Sequence, residues 1–194
     1  MNYLAHFALA GPETGLLVGS FLGDYIKGRL ENRFSPEIER GIRLHRAIDQ
    51  YTDSHPVVKS SYERFDPKFR RYAGIITDIA FDHLLAQTWS RYYNEPLESF
   101  SARTLEKLLT QKDMLTNTAR QSASRMQKHN SLAHYGGLEF LERSLVYLSG
   151  RLKHANPLLD AYPHCAEQLP DLQEDLSVFY PELMKFCNEW KQLH

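Results

Sequence analysis

The stretch TDIAFDHLLAQTW, from Thr77 to Trp89, indicates the fold class of this chain. Its apolar residues recur three and four positions apart, which is the spacing of one face of an α-helix. Asp78 and Asp82 fall in the same apolar stripe, and His83 follows directly. A carboxylate in a protein core is costly unless it is paired, protonated or bound to a metal ion. The stretch therefore predicts a core helix whose acids point inward for a functional reason.

Helical periodicity continues through almost the whole chain, and strand-like alternation is nearly absent. Ser35 followed by Pro36 is typical of a helix start, and Asn156 followed by Pro157 is typical of a break. We therefore predict one all-α domain over residues 1–194, folded as a helical bundle. The predicted helices are Leu16–Lys27, Pro36–Ser54, Pro56–Arg64, Ala73–Tyr93, Leu97–Leu109, Met114–His129, Leu138–Leu152, Leu158–Leu169 and Leu172–Leu193.

The composition is that of an ordinary globular protein, with 42% hydrophobic and 24% charged residues among 194. A formal net charge of -1 argues against a protein that binds nucleic acid through overall positive charge. The charge is uneven, with an excess of four cations over residues 27–71 and of five acids from residue 160 onward. The basic segment suits an acidic or phosphorylated partner, although a mixed, solvated surface is the simpler interpretation.

The two cysteines and the N-terminus indicate the compartment. Cys165 and Cys187 lie far apart without neighbouring ligand patterns, so we expect free thiols in a reducing environment. The apolar N-terminus has no basic region, and GLLVGSFLGDYI is too short to span a bilayer. We expect a soluble, cytoplasmic protein with no membrane partner.

Further polar residues lie on the helix predicted over Pro36–Ser54. His45 and Asp49 are four residues apart and therefore share one face, with Arg46 beside them. Asp49 could orient a water molecule or His45. The alternative is that Asp49 simply pairs with Arg46.

Two more candidates end apolar stretches near the N-terminus. Asp24 follows an apolar helix whose small residues Gly19, Ser20 and Gly23 would let another backbone approach closely. Asp24 could also be an ordinary surface acid at a helix end. An isolated histidine such as His6 is more often a hydrogen-bonded core or surface residue than a ligand.

Helical bundles commonly hold metal ions inside, where carboxylates and imidazoles from different helices meet. Oxygen and imidazole ligands suit a hard or borderline divalent ion such as Mn²⁺, Mg²⁺ or Zn²⁺. The sequence therefore predicts a metal site that compensates the inward acids. The candidate set is Asp24, His45, Asp49, Asp78, Asp82 and His83.

Four segments in order resemble the bacterial acyl carrier protein phosphodiesterase family: MNYLAHFALA, GSFLGDYIKG, GIRLHRAIDQYTDSHP and DIAFDHLLAQTW. The later stretches LSGRL and FYPELM are also similar, so the resemblance covers nearly the whole chain. It implies an all-α fold distantly related to HD-type metal-dependent phosphohydrolases. The signature of that wider group is His followed by Asp, whereas this chain has Asp82 followed by His83 and no HD dipeptide.

The resemblance implies a phosphoric diester hydrolase of fatty acid biosynthesis that acts on holo-acyl carrier protein. The bond cleaved would join the carrier serine to its 4'-phosphopantetheine arm, with Mn²⁺, or else Mg²⁺, as cofactor. With this reaction in view, we assign the metal to Asp24, Asp78, Asp82 and His83, catalysis to His6, His45 and Asp49, and the substrate phosphate to Arg46 and Arg151. His45 is also a candidate ligand, and His6 or His45 could donate a proton to the leaving serine.

Two other functions stay open at this point. One is an HD-type phosphohydrolase acting on a nucleotide or another small phosphoester. The other is a helical module that binds carrier proteins without catalysis and whose acids form structural pairs. If the partner is an acidic carrier protein, the basic segment would steer docking through Lys27, Arg29, Arg43, Lys59, Arg64, Lys68, Arg70 and Arg71.

Overall fold

The structure, a computed structural model, describes all 194 residues and contains nine α-helices and no β-strand. The predicted all-α fold is thus confirmed. Short 3₁₀ turns lie between several of the helices. The helices are α1 (Tyr3–Ala10), α2 (Thr14–Leu22), α3 (Pro36–Ser54), α4 (Pro56–Glu63), α5 (Ala73–Gln87), α6 (Leu97–Thr110), α7 (Asn117–Lys128), α8 (Leu138–Arg151) and α9 (Ala161–Leu193).

Local sequence signals set the start of α3. The Ser35 hydroxyl accepts a hydrogen bond from the Ile38 backbone N–H, and Pro36 occupies the first helical position. Such a cap satisfies a backbone donor that the helix itself leaves free. The bounds of this helix agree with the prediction at both ends.

Small residues bring α2 and α3 into close contact. The sequence predicted that another backbone would approach these residues, and in the structure that backbone is α3. A Cβ atom on Gly19 would overlap the carbonyl oxygen of Ile38 and the backbone of Gly41. Gly41 in turn faces the carbonyl oxygen of Leu16. The absence of side chains at these positions lets the two backbones touch, and this contact places the end of α2 beside the middle of α3.

Several parts of the prediction differ from the structure. The helix predicted over Leu16–Lys27 spans Thr14–Leu22, and the one predicted over Ala73–Tyr93 ends at Gln87. No helix was predicted at the N-terminus, but Tyr3–Ala10 is helical. The two helices predicted over Leu158–Leu169 and Leu172–Leu193 form one helix, which continues through Pro170 and Pro181. Each proline removes a backbone donor and normally interrupts a helix. Here a long buried stripe of α9 packs against α5 and keeps the two halves in one helix.

Helix α5 is the central element, and it contacts α1, α4, α8 and α9. This surrounding explains why its apolar and polar residues are buried alike, Asp82 and His83 included. Cys165 and Cys187 are buried and free, as predicted. None of the helices is both long and apolar enough to cross a membrane.

Candidate metal centre

Two histidines and one aspartate from α1 and α3 converge. The Nε2 atom of His6 lies 3.1 Å from one carboxylate oxygen of Asp49, and the Nε2 atom of His45 lies 3.2 Å from the other. The two imidazole rings are stacked with centroids 4.0 Å apart. Both histidines are buried, whereas Asp49 is about half exposed, with 46% of its side-chain surface accessible. We call this group the His–His–Asp triad.

The helices fix the triad in place. His45 and Asp49 face the same way because they are one turn apart on α3. The Ser20 hydroxyl on α2 donates a hydrogen bond to the His6 carbonyl, which ties α1 to α2. Gly23, just after α2, leaves the space that the His45 ring occupies.

The electrostatics of the triad favour a neutral His6 imidazole beside an ionised Asp49 carboxylate. Burial lowers the pKa of His6 to about 4, assisted by the neighbouring His45 and opposed by Asp49. Partial burial of Asp49 works against its charge, but hydrogen bonds from His45 and His6 outweigh it and hold the pKa of this carboxyl below its ordinary value. Neutral imidazole and ionised carboxylate are the protonation states that bind a metal ion.

The spacing of the triad also suits a metal ion. One ligand atom from each residue lies within 4.8 Å of the other two. Ligand atoms about 2.0–2.2 Å from a divalent ion lie about 3 Å from their neighbours, close to the two histidine–aspartate distances. The buried Nδ1 atoms of both histidines lack hydrogen-bond partners, so each ring makes its polar contacts on the Nε2 side. The triad can therefore hold a divalent metal.

Asp24 lies at the edge of the triad. Its carboxylate is 3.7 Å from the Nε2 atom of His45 and about half exposed. Desolvation raises the pKa of this carboxyl, although His45 partly opposes the shift. Asp24 also lines a groove with a volume of about 1400 Å³. Among the residues predicted to bind the metal, it is the one that lies both next to the triad and on the groove.

The structure places Asp82 in a different role. Its two carboxylate oxygens accept hydrogen bonds from the backbone N–H groups of Asn2, Leu4 and Ala5, at 3.2, 2.8 and 3.3 Å. Desolvation raises the pKa of Asp82 to about 7, and the positive charge of the Met1 amino group, together with the hydrogen bonds, limits the shift. Asp82 thus caps the start of α1, and the triad does not include it.

Asp78 and His83 also lie outside the triad. Asp78 accepts a hydrogen bond from the Met1 amino group at 2.5 Å. The Nδ1 atom of His83 lies 2.8 Å from the Tyr135 carbonyl oxygen, and its buried Nε2 atom has no partner. Burial lowers the pKa of His83.

Of the four residues assigned to the metal from sequence, the structure brings only Asp24 to the triad. The residues that do converge are the three assigned to catalysis.

The two predicted phosphate ligands lie apart. Arg46 donates a hydrogen bond to the Ile26 carbonyl oxygen at 3.0 Å. Arg151 is exposed at the end of α8, where it donates to the Tyr147 hydroxyl and lines the same groove as Asp24. The sequence reasoning missed the rest of this groove wall. The four-residue spacing of Arg143, Tyr147 and Arg151 on α8 was the signal that could have revealed it.

Gly23→Ala tests whether the position of His45 matters. The new Cβ would overlap the His45 ring, which is confined by the stacked His6 ring and cannot move aside freely. We expect turnover to fall about 100-fold, because a displacement of about 1 Å is enough for such a loss. The measurement is kcat together with the thermal shift on adding Mn²⁺.

The matched control is Gly150→Ala, since a Cβ at Gly150 meets nothing within 4 Å. We expect that variant to behave as the wild type. Equal activity of the two variants would contradict a requirement for His45 in its observed position.

Comparison with known proteins gives a consistent result. Residues 1–183 match the family model described as acyl carrier protein phosphodiesterase. Proteins of that name from Escherichia coli O6:H1 (strain CFT073) and O45:K1 (strain S88) are each 29% identical, over 189 and 186 residues. Each alignment covers 95% of this chain and 96% of the relative. No solved structure matches.

Proposed function

The chain belongs to the acyl carrier protein phosphodiesterase family, and we propose that its His–His–Asp triad holds the divalent metal for this reaction. Family membership makes the chain a hydrolase that acts on a phosphodiester bond. The proposed bond joins the carrier serine to 4'-phosphopantetheine, so that the products are apo-acyl carrier protein and the free arm.

One observation supports placing the reaction where the triad meets the groove. Asp24 lies at the edge of the triad, 3.7 Å from His45, and at the same time lines the large groove. A substrate in the groove can therefore approach the triad from the side of Asp24. The groove also combines apolar and polar residues, as a binding site for an organic phosphoester requires.

We propose Mn²⁺ as the metal and Mg²⁺ as the second choice, because carboxylate oxygen is a preferred ligand of both ions. A bound divalent ion would lower the pKa of a water ligand and compensate the charge of the phosphoryl oxygens. Asp24 is the proposed fourth ligand. No observation gives Asp78, Asp82 or His83 a contact with the triad, so their assignment to the metal remains a prediction from sequence.

The chain's own groups have distinct proposed roles. Because the pKa of His6 is about 4, its ring is neutral near pH 7 and suits a metal ligand better than a proton donor. Hydrogen bonds from both histidines keep the Asp49 carboxylate ionised. In the proposed site this carboxylate binds the metal ion and orients His45. Arg151 remains the proposed phosphate ligand of the groove, since its guanidinium group is exposed there. Arg46 is a weaker candidate because it already binds the Ile26 carbonyl.

A mass measurement tests the proposed reaction. Purified protein with Mn²⁺ should convert holo-carrier protein to the apo form, with loss of the mass of the prosthetic arm. Addition of EDTA should stop the conversion, and excess Mn²⁺ should restore it. The control is the carrier protein alone with Mn²⁺.

Two outcomes would contradict the proposal. Faster hydrolysis of free nucleotides than of holo-carrier protein would favour the small-phosphoester alternative. No conversion under any divalent metal, combined with tight binding of the carrier protein, would favour the non-enzymatic binding module.

A further inference from the structure

We propose that the groove wall formed by α7 and α8 is the docking surface for the carrier protein, whose acidic helical face would lie against Arg125, Arg143 and Arg151. This inference rests on the proposed function and adds the site of recognition. It differs from the sequence-based expectation, which placed docking on the basic segment of residues 27–71.

The charges of the groove differ between the elements that line it. The α7–α8 wall carries three arginines, Arg125, Arg143 and Arg151, against a single acid, Glu139. Elsewhere in the groove, Asp24 lies beside the triad, and Asp78 is paired with the Met1 amino group. An acidic partner would therefore be attracted to the α7–α8 wall, while a cation would be held beside Asp24.

The arginines of this wall are available for a partner. Arg125 is exposed and makes no ion pair. Arg151 contacts the neutral Tyr147 side chain, whose ring lies 5.6 Å from the guanidinium carbon. Arg143 pairs only with Glu139, four residues away, and both side chains are about 80% exposed. Exposed pairs of this kind contribute little stability, so a carboxylate of a partner can replace Glu139 at small cost.

Several cations of the basic segment are already engaged. Arg64 makes two hydrogen bonds to the Asp175 carboxylate and a third to Asp171. Arg43 pairs with the buried Glu39 at 2.8 Å. These arginines stabilise the fold, and their release would leave buried or partly buried acids without a partner. Arg70 and Arg71 remain exposed and provide the test of the rival surface.

The α8 wall also offers apolar contact area. Tyr147 is 53% exposed and lies between Arg143 and Arg151 in the four-residue spacing of one helix face. Phe140 and Leu148 on the same helix also line the groove. Tyrosine and arginine are enriched at the centres of protein interfaces, because they combine apolar area with directed hydrogen bonds.

The reaction itself requires a protein surface at this groove. The bond to be cleaved lies next to a serine of the carrier protein, so the carrier must approach the triad to within the length of a side chain. The groove volume of about 1400 Å³ exceeds the roughly 300–1,000 Å³ of a typical small-ligand pocket. It therefore has room for part of the carrier surface in addition to the arm.

The test is the double variant Arg125→Glu/Arg143→Glu, which reverses two charges of the wall and leaves the triad untouched. We expect KM for holo-carrier protein to rise about tenfold or more, with kcat within about twofold of the wild type. Hydrolysis of the carrier-free diester bis(p-nitrophenyl) phosphate should be unchanged. Fluorescence anisotropy of labelled holo-carrier protein in EDTA should show the same loss of affinity without turnover.

The matched control is Arg70→Glu/Arg71→Glu, which makes the same change of charge on the basic segment. We expect its KM to stay near that of the wild type. An unchanged KM and affinity in the α7–α8 variant would overturn the inference, and so would a larger effect of the control.

If the variant lost its circular dichroism signal, Arg143→Ala would replace it, with a smaller rise of KM expected. Failure of the wild type to cleave holo-carrier protein would instead remove the proposed function, and the docking inference with it.

Discussion

Asp49→Ala is expected to reduce turnover of holo-carrier protein about a thousandfold or more. Asp49 is the one carboxylate that contacts both histidines of the triad, at 3.1 and 3.2 Å. Without it, the two histidines and the proposed ligand Asp24 would have to hold the ion, and the negative charge that Asp49 contributes to its binding would be lost. Stabilisation of the transition state by a metal ion is worth several kcal/mol, and about 4 kcal/mol corresponds to a thousandfold in rate.

The metal-binding part of this prediction has a readout that does not depend on activity. Mn²⁺ should raise the thermal midpoint of the wild type, because an ion that binds only the folded state stabilises it. Asp49→Ala should lose that shift, and the isosteric Asp49→Asn should lose most of it because the amide is uncharged. Asp53→Ala is the matched control, since Asp53 lies one turn further along α3, is exposed and makes only a 3.5 Å contact with Tyr62.

Retention of both activity and the Mn²⁺ shift in Asp49→Ala would exclude the triad as the metal centre. Loss of activity with a retained Mn²⁺ shift would instead assign Asp49 to the orientation of water or of His45, the roles considered for it from the sequence.

Asp82→Ala is expected to lower the free energy of unfolding by about 2–4 kcal/mol. The carboxylate accepts three backbone hydrogen bonds at the start of α1, and a buried N–H group without an acceptor costs about 1–3 kcal/mol. Since α1 carries His6, turnover should fall as well. Denaturant unfolding of the metal-free protein measures the change in the free energy of unfolding without a contribution from metal binding.

Asp82→Asn separates the two roles considered for this residue. The amide keeps one acceptor oxygen and removes the other, so we expect a loss of stability smaller than that of the alanine variant. A protein that unfolds at the wild-type denaturant concentration but no longer responds to Mn²⁺ would contradict the capping role. That result would support the ligand role predicted from sequence.

Features that depend on neighbours along the chain were predictable. The i and i+4 spacing of His45 and Asp49 is a property of any α-helix, and α3 has the predicted bounds because Ser35 and Pro36 act on adjacent backbone groups. The close approach of another backbone to α2 was predictable too, because small residues such as Gly19 allow it, but the identity of α3 as that partner was not. The all-α class follows from the same local periodicity.

The identity of the converging residues required the fold. Asp82 and Asp49 are both aspartates that a helix presents on a largely buried face, and nothing local distinguishes them. The difference arises because the start of α1 meets α5 at Asp82 and supplies three N–H donors, whereas α1 presents His6 to Asp49 one turn later. The partner that compensates a buried charge lies far away in sequence, so spacing reveals which acids need compensation, while the packing of helices determines what compensates each of them.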